Sequence, residues 1–253
     1  MISWEIPELD VALGGLKEHA LTLVHEVDPR SRGKELLYHI MKRKLEKGSL
    51  VGYFNISYPI HVLLEVSDRM GISLDGYLKS WTLAIIDTFG SFYDIALSYP
   101  GVWYLKGSLS AEVLPAKYAE VVERHKRKWA ELGLFDGREI FGFAIDMSDY
   151  LELLGGEKET LKYLELSAEV RANSRAYRKY PRGTNFWFWS GMKSVSVLES
   201  IYRRADYVLR TSSEIRGKRV IRTLEVIKTP EPRSEILRFH YEFRNGEPIV
   251  REL

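Results

Sequence analysis

The chain has no cysteine and no glutamine among its 253 residues. The first absence excludes disulfides, thiolate metal sites and a cysteine nucleophile. The second goes with asparagine confined to positions 55, 173, 185 and 245 and with abundant Glu, Lys and Arg. Scarcity of thermolabile amides beside many charges is a hyperthermophile signature. A large net charge is also missing: Lys and Arg total 37 against 35 Asp and Glu, a net of +2. Bulk charge therefore points to neither nucleic acid nor membrane. No window reaches the ~18 uncharged apolar residues of a membrane span. The opening Met-Ile-Ser-Trp-Glu-Ile-Pro lacks the basic start and apolar run of a signal peptide. These features lead us to expect a cytoplasmic protein. The six histidines show no ligand spacing such as H-E-x-x-H, so no zinc site is expected.

What is present is an apolar share of 45%, ample for a packed core. Apolar runs at Leu21–Glu26, Ser49–Ile56, Trp81–Asp87, Ile140–Asp146 and Asn185–Trp189 read as buried strands. Helical periodicity fills Gly33–Glu46, the stretch from Pro59 to Met70, Ala111–Leu132 and Lys158–Tyr180. Strands alternating with helices at this rhythm imply crossover units and a mainly parallel sheet. Ile6–Gly15 reads as a short helix closed by paired glycines. From Thr88 to Ala111 the pattern loosens around one short strand near Val102–Leu105. Three late strands follow, at Ala205–Arg210, Arg219–Ile227 and Ile236–Phe243. Hairpin signals at Arg216-Gly217 and Asn245-Gly246 suggest antiparallel pairing at the sheet edge. No repeat, low-complexity tract or long linker divides the chain, so residues 1–253 read as one domain.

Leu21 to Leu37 is the most informative stretch: an apolar strand, a turn ending in Gly33-Lys34, and an amphipathic helix. That is the layout of a phosphate-binding loop, G-x-x-x-x-G-K-[ST]. Here Asp28 stands at the first glycine and Glu35 at the final hydroxyl. Pro29 has no N–H to offer a phosphate. Lys34 keeps the position that reaches the β- and γ-phosphates, whereas Glu35 replaces the Mg²⁺-holding Ser/Thr. A carboxylate about 4 Å from a phosphate charge, at an effective dielectric near 20, costs roughly 4 kcal/mol. Arg30 and Arg32 are placed to offset part of that repulsion.

In order and spacing the chain resembles the KaiC-like branch of the RecA-superfamily P-loop ATPases, as a degenerate archaeal member. Ile6-Pro-Glu-Leu-Asp-Val-Ala-Leu-Gly-Gly15 is similar to that branch's opening segment, Ile140–Asp146 to its Walker B strand, and Arg222–Lys228 to its late strand. The resemblance implies a RecA-like three-layer αβα fold, with a mostly parallel sheet and antiparallel C-terminal strands. It implies ATP and Mg²⁺ as cofactors where the loop still works, with Gly33, Lys34, Arg30 and Arg32 on phosphates, Asp146 on Mg²⁺ and Ser190 as a γ-phosphate sensor. It also implies self-association, since relatives form rings or filaments. Departures argue against turnover. The positions of the branch's water-activating Glu pair hold Ser57 and Tyr58, neither a convincing base. Of its Lys-x-Arg pair, Lys228 survives and the arginine position is Pro230. The expectation is a KaiC-like protein without ATPase activity that acts by binding or assembly. The alternative is an ATP-binding, slowly hydrolysing ATPase. A third reading, single-stranded nucleic-acid binding, rests on Arg171, Arg175, Arg178 and Arg182, whose i, i+4, i+7, i+11 spacing would align them on one helix face. His125–Lys128 reads as a solvated basic segment of its helix, and Phe186–Trp189 as core.

Overall fold

The computed structural model describes residues 1–253. A short helix α1 (Pro7–Leu13) precedes strand β1 (Leu21–Glu26), and α2 (Gly33–Glu46) leads to β2 (Leu50–Asn55). Helices α3 (Ile60–Arg69) and α4 (Leu74–Lys79) cross to β3 (Leu83–Asp87), followed by α5 (Thr88–Phe92) and β4 (Val102–Tyr104). Then come α6 (Leu114–Glu131), β5 (Ile140–Ile145), α7 (Tyr150–Leu153), α8 (Glu157–Asn173), α9 (Arg175–Arg178) and β6 (Thr184–Ser190). Helix α10 (Val195–Arg204) precedes β7 (Tyr207–Arg216), β8 (Arg219–Lys228), β9 (Leu237–Arg244) and β10 (Glu247–Glu252).

All ten strands join one sheet in the order β10-β9-β8-β7-β1-β6-β5-β2-β3-β4. From β7 to β4 every pairing is parallel; from β7 to β10 every pairing is antiparallel. This is the mostly parallel sheet with antiparallel C-terminal strands that the sequence implied. The hairpin turns fall where expected: Asn245 and Gly246 both take positive φ, at 53° and 81°. The Asn-Gly pair suits that left-handed turn because neither residue is penalised heavily there. Strand β10 is the second arm of that hairpin, for which the sequence set no bounds.

The sheet is apolar on both faces because its central strands alternate two sets of side chains. In β6, Phe186 and Phe188 enter one core with Leu36, Leu37, Ile40 and Met41 of α2, while Trp187 and Trp189 enter the other with residues of α6, α8 and α10. All four aromatics are buried. Helices on both faces are what a parallel sheet requires. The helix expected over Lys158–Tyr180 breaks at Ser174, which is extended (φ −73°, ψ 146°) and closes α8 by donating its N–H to the Val170 carbonyl. The Asn173-Ser174 pair favours this stop, since short polar side chains compete with helical backbone bonds. No helix is long and apolar enough to cross a membrane.

Candidate functional site

The region expected to cradle phosphate lies just beyond the C-terminal end of β1. The chain makes a single 3-10 turn over Pro29–Ser31, then enters α2 through Arg32, which is left-handed at φ 57°. Asp28 organises this turn. Its carboxylate accepts from the Arg30 N–H (3.1 Å), the Ser213 N–H (2.8 Å) and the Ser213 hydroxyl (2.6 Å). Ser31 Oγ donates to the Asp28 carbonyl at 2.7 Å and lies 3.1 Å from Thr211 Oγ1. The Tyr241 hydroxyl donates to the Ser31 carbonyl, and Arg222 Nε to the Arg30 carbonyl at 2.8 Å. The loop is thus tied to β7, β8 and β9. Gly33 is needed for close approach, because a Cβ there would collide with the buried Thr211 side chain.

At the start of α2 the charges are matched within the chain. The Lys34 N–H donates to Glu26 Oε2 at 3.2 Å. A helix N-terminus attracts anions through its free N–H groups and dipole, and here the anion is a buried carboxylate from the end of β1. Burial pushes the Glu26 carboxyl up, while the Lys34 N–H and ammonium pull it down. Lys34 Nζ sits 2.7 Å from Asp146 Oδ1 and donates to the Tyr58 hydroxyl at 3.4 Å, above the Tyr58 and Phe188 rings. Burial works against the Lys34 charge, but the Asp146 carboxylate outweighs it and holds the ammonium above its ordinary pKa. Asp146 is buried and left-handed at φ 63°. Glu35 faces away from this centre and pairs with Arg32, whose guanidinium also covers the Phe243 ring at 4.5 Å.

Of the residues anticipated from sequence, the structure brings Gly33, Lys34 and Asp146 together. Arg30 is exposed, with Asp28 at 3.8 Å, and Arg32 is taken by Glu35. Neither converges on Lys34. Ser190 ends β6 opposite Glu26 in the ladder. Ser57 donates to Asp149 Oδ2 at 2.6 Å. Lys228 donates to the carbonyls of Tyr202 and Arg203 at the end of α10, an internal cap. No group of three or more His, Asp or Glu side chains is arranged to hold a metal ion.

Two expectations are corrected. Arg171, Arg175, Arg178 and Arg182 do not share a helix face, because the break at Ser174 separates them. Arg171 lies over Trp187 at 5.1 Å, Arg175 is 3.8 Å from Glu123, and Arg178 donates to the Ala172 carbonyl and to Asn173. Arg182 falls beyond α9 and just before β6. The basic segment His125–Lys128 is not uniformly solvated either: His125 and Lys126 are buried. Tyr118, Val122, His125, Lys126 and Trp129 are spaced as one helical face, and that spacing was the available signal. Sequence reasoning also missed Glu26, whose only sign was a carboxylate ending the strand before the loop.

The 2.7 Å Lys34–Asp146 pair thus sits at the ends of β1 and β5, the crevice where parallel α/β sheets carry ligands. A protein of the same architecture is the uncharacterised PH0321 of Pyrococcus horikoshii, solved in complex with an unknown peptide. It is 53% identical, with 100% of each chain covered and a TM-score of 0.95. The chain belongs to the family of PH0321. The chain also shares its fold with two more distant structures, one of them KaiC-like. KaiC-like PH0186 of the hyperthermophilic archaeon P. horikoshii aligns over 99% of this chain and 98% of its own, at 13% identity and a TM-score of 0.72. The flagellar accessory protein FlaH of Methanocaldococcus jannaschii aligns over 96% and 95%, at 14% identity and a TM-score of 0.59. No protein-family model matches the chain, and no curated protein does.

Proposed function

We propose that this chain is a KaiC-like scaffold that works by binding a protein or peptide partner and does not turn over ATP. The observation that carries this reading is the internal neutralisation of the cradle. Lys34 is committed to Asp146 at 2.7 Å, and the N-terminus of α2 is committed to Glu26. A triphosphate with Mg²⁺ does not fit these residues as they stand. Glu26 lies where a phosphate would take the helix N–H groups, Asp28 and Pro29 interrupt the backbone donors, and position 35 offers a carboxylate already bound to Arg32. The degenerate loop is therefore read as a structural joint between β1, α2 and β7. The peptide seen with PH0321, a relative 53% identical over the whole chain, supports a peptide segment as ligand.

Slow ATP hydrolysis is the competing reading, favoured by the survival of Lys34 and Asp146 side by side. It requires Lys34 to leave Asp146 in a buried setting, and breaking a buried pair costs about 3–5 kcal/mol. Phosphate contacts must recover that amount without the Ser/Thr ligand. Turnover assays on the pure protein at high temperature, with ATP and Mg²⁺, separate the two. No ATP-dependent phosphate release is expected. Steady release that disappears in Lys34→Ala overturns the proposal.

A further inference from the structure

A second feature lies on the other face of the sheet, under α6, α8 and α9: a cavity of about 570 Å³. Its origin is visible in the strand register. Gly52 of β2 and Gly142 of β5 are ladder partners, and Gly142 is in turn opposite Asn185 of β6. The missing side chain at Gly52 leaves open a part of the face that larger side chains fill elsewhere, whereas the space above Gly142 is taken by the Asn185 side chain. At Gly52 a Cβ would meet nothing nearer than 3.9 Å. The space runs from His19 and Arg182, before the strands begin, towards Met147 and Tyr150, after β5 ends. A volume of that size lies within the range of small-molecule pockets.

The lining interleaves aromatic and basic side chains, with Arg171 over Trp187 and Lys126 over Tyr177. Tyr118, Tyr150, Tyr163, Tyr177 and Trp187 supply flat apolar area. Lys126, Arg171, Arg182 and Arg204 supply positive charge, and no Asp or Glu lines the cavity at all. Only Arg204 has an acidic partner, Glu165. Lys126 Nζ donates to the Pro181 carbonyl at 2.8 Å, and Arg171 Nε to the Ser167 carbonyl at 3.3 Å, while its guanidinium covers Trp187. His125 is buried next to Lys126, with its ring against Trp129. Lys126 is buried without a counter-charge, a costly arrangement in a stable fold, whereas Arg171 is half-buried and Arg182 exposed at the rim. Burial lowers Lys126 to about 8, so the ammonium still predominates near neutral pH.

We propose that this cavity is a binding site for an aromatic carboxylate, its ring among the tyrosines and Trp187 and its acid group on Lys126 and Arg171. The inference is independent of the state of Lys34, which does not line the cavity. Stacking on Tyr and Trp supplies area, and a guanidinium already fixed over Trp187 loses little freedom on taking a carboxylate. Two sources share this chemistry: a free aromatic acid, and the C-terminal residue of a peptide.

Isothermal calorimetry with 1-naphthaleneacetate and its neutral amide tests the charge requirement on the intact chain, with no variant needed. The acid is expected to bind at least about tenfold tighter than the amide. Arg171→Met should narrow that preference to about threefold or less, with amide binding unchanged. Gly52→Leu, which fills the floor, should abolish binding of both while the circular dichroism spectrum stays native. A second pair of probes, acetyl-Gly-Gly-Trp with a free and an amidated C-terminus, identifies the source. A preference for the free terminus points to a peptide end; binding of the naphthalene acid alone points to a small metabolite-like acid. Equal affinity for acid and amide, or no heat with the naphthalene acid at millimolar concentration, overturns the proposal.

Discussion

The two ends of the parallel strands treat charge in opposite ways. At the C-terminal end, Lys34 has Asp146, the α2 N-terminus has Glu26, and Arg32 has Glu35. At the other end and under α6, Lys126, Arg171 and Arg182 line a cavity that contains no carboxylate. Both regions are rich in basic groups near buried aromatics, so composition alone would score them alike. What separates them is whether the counter-charge is inside the chain. A cradle whose cations are already paired must break a buried pair to accept an anion, whereas a cavity with unpaired cations gains from one.

Removing a counter-charge from the cradle should have the largest effect. Asp146→Asn keeps a residue that tolerates positive φ but leaves the Lys34 ammonium without its anion. We expect a loss of about 3 kcal/mol in urea unfolding. The double variant Lys34→Met with Asp146→Asn should recover most of that loss, because no unpaired charge then remains. Equal loss in single and double variants would show that the pair is not the reason.

The cavity should respond to pH in the opposite sense from an ion pair. Unfolded Lys126 keeps its proton to its ordinary value of 10.5, whereas burial in the fold lowers it to about 8. Between those values the unfolded state binds the extra proton, so native stability rises with pH through this window. The contribution is at most about 3 kcal/mol. Comparing wild type with Lys126→Met from pH 7.5 to 10.5 by denaturant melts isolates it from the tyrosines (~0.5-unit steps suffice). A rise of the same size in both proteins would remove the lysine from the account.

Packing at the loop comes next. Gly33→Ala drives a Cβ into Thr211, and overpacking of this kind costs about 1–3 kcal/mol. Adding Thr211→Ala should return part of it, a coupling that a double-mutant cycle reads directly. Arg30→Ala should do least. Its side chain is exposed and 3.8 Å from Asp28, so a change within about 0.5 kcal/mol is expected. A large loss there would mean that the loop depends on a charge we have placed in solvent.

The same contrast explains what could be read from the sequence. The sheet, its parallel core and its antiparallel hairpins were legible, because strands such as Asn185–Trp189 are apolar without interruption and Asn245-Gly246 fixes its own turn. Lys34 and Asp146 were legible as a motif remnant. Their direct pairing was not, because no local pattern states that a side chain will cross from α2 to the end of β5. Glu26 was hidden for the same reason: its partner is a backbone N–H eight residues on. The cavity left fainter traces. Gly52 looks like an ordinary strand glycine until the fold leaves its face open. Lys126 sat on the apolar face of α6, but its cluster of basic neighbours drew attention to solvent. The arginine stripe failed because its spacing assumed a continuous helix through Ser174.

Calorimetry of Mg²⁺-ATP with the wild-type protein tests the central claim most directly. If the cradle is filled by Glu26 and Asp146, titration to millimolar nucleotide gives only dilution heat. A saturable heat that vanishes in Lys34→Ala would contradict the account.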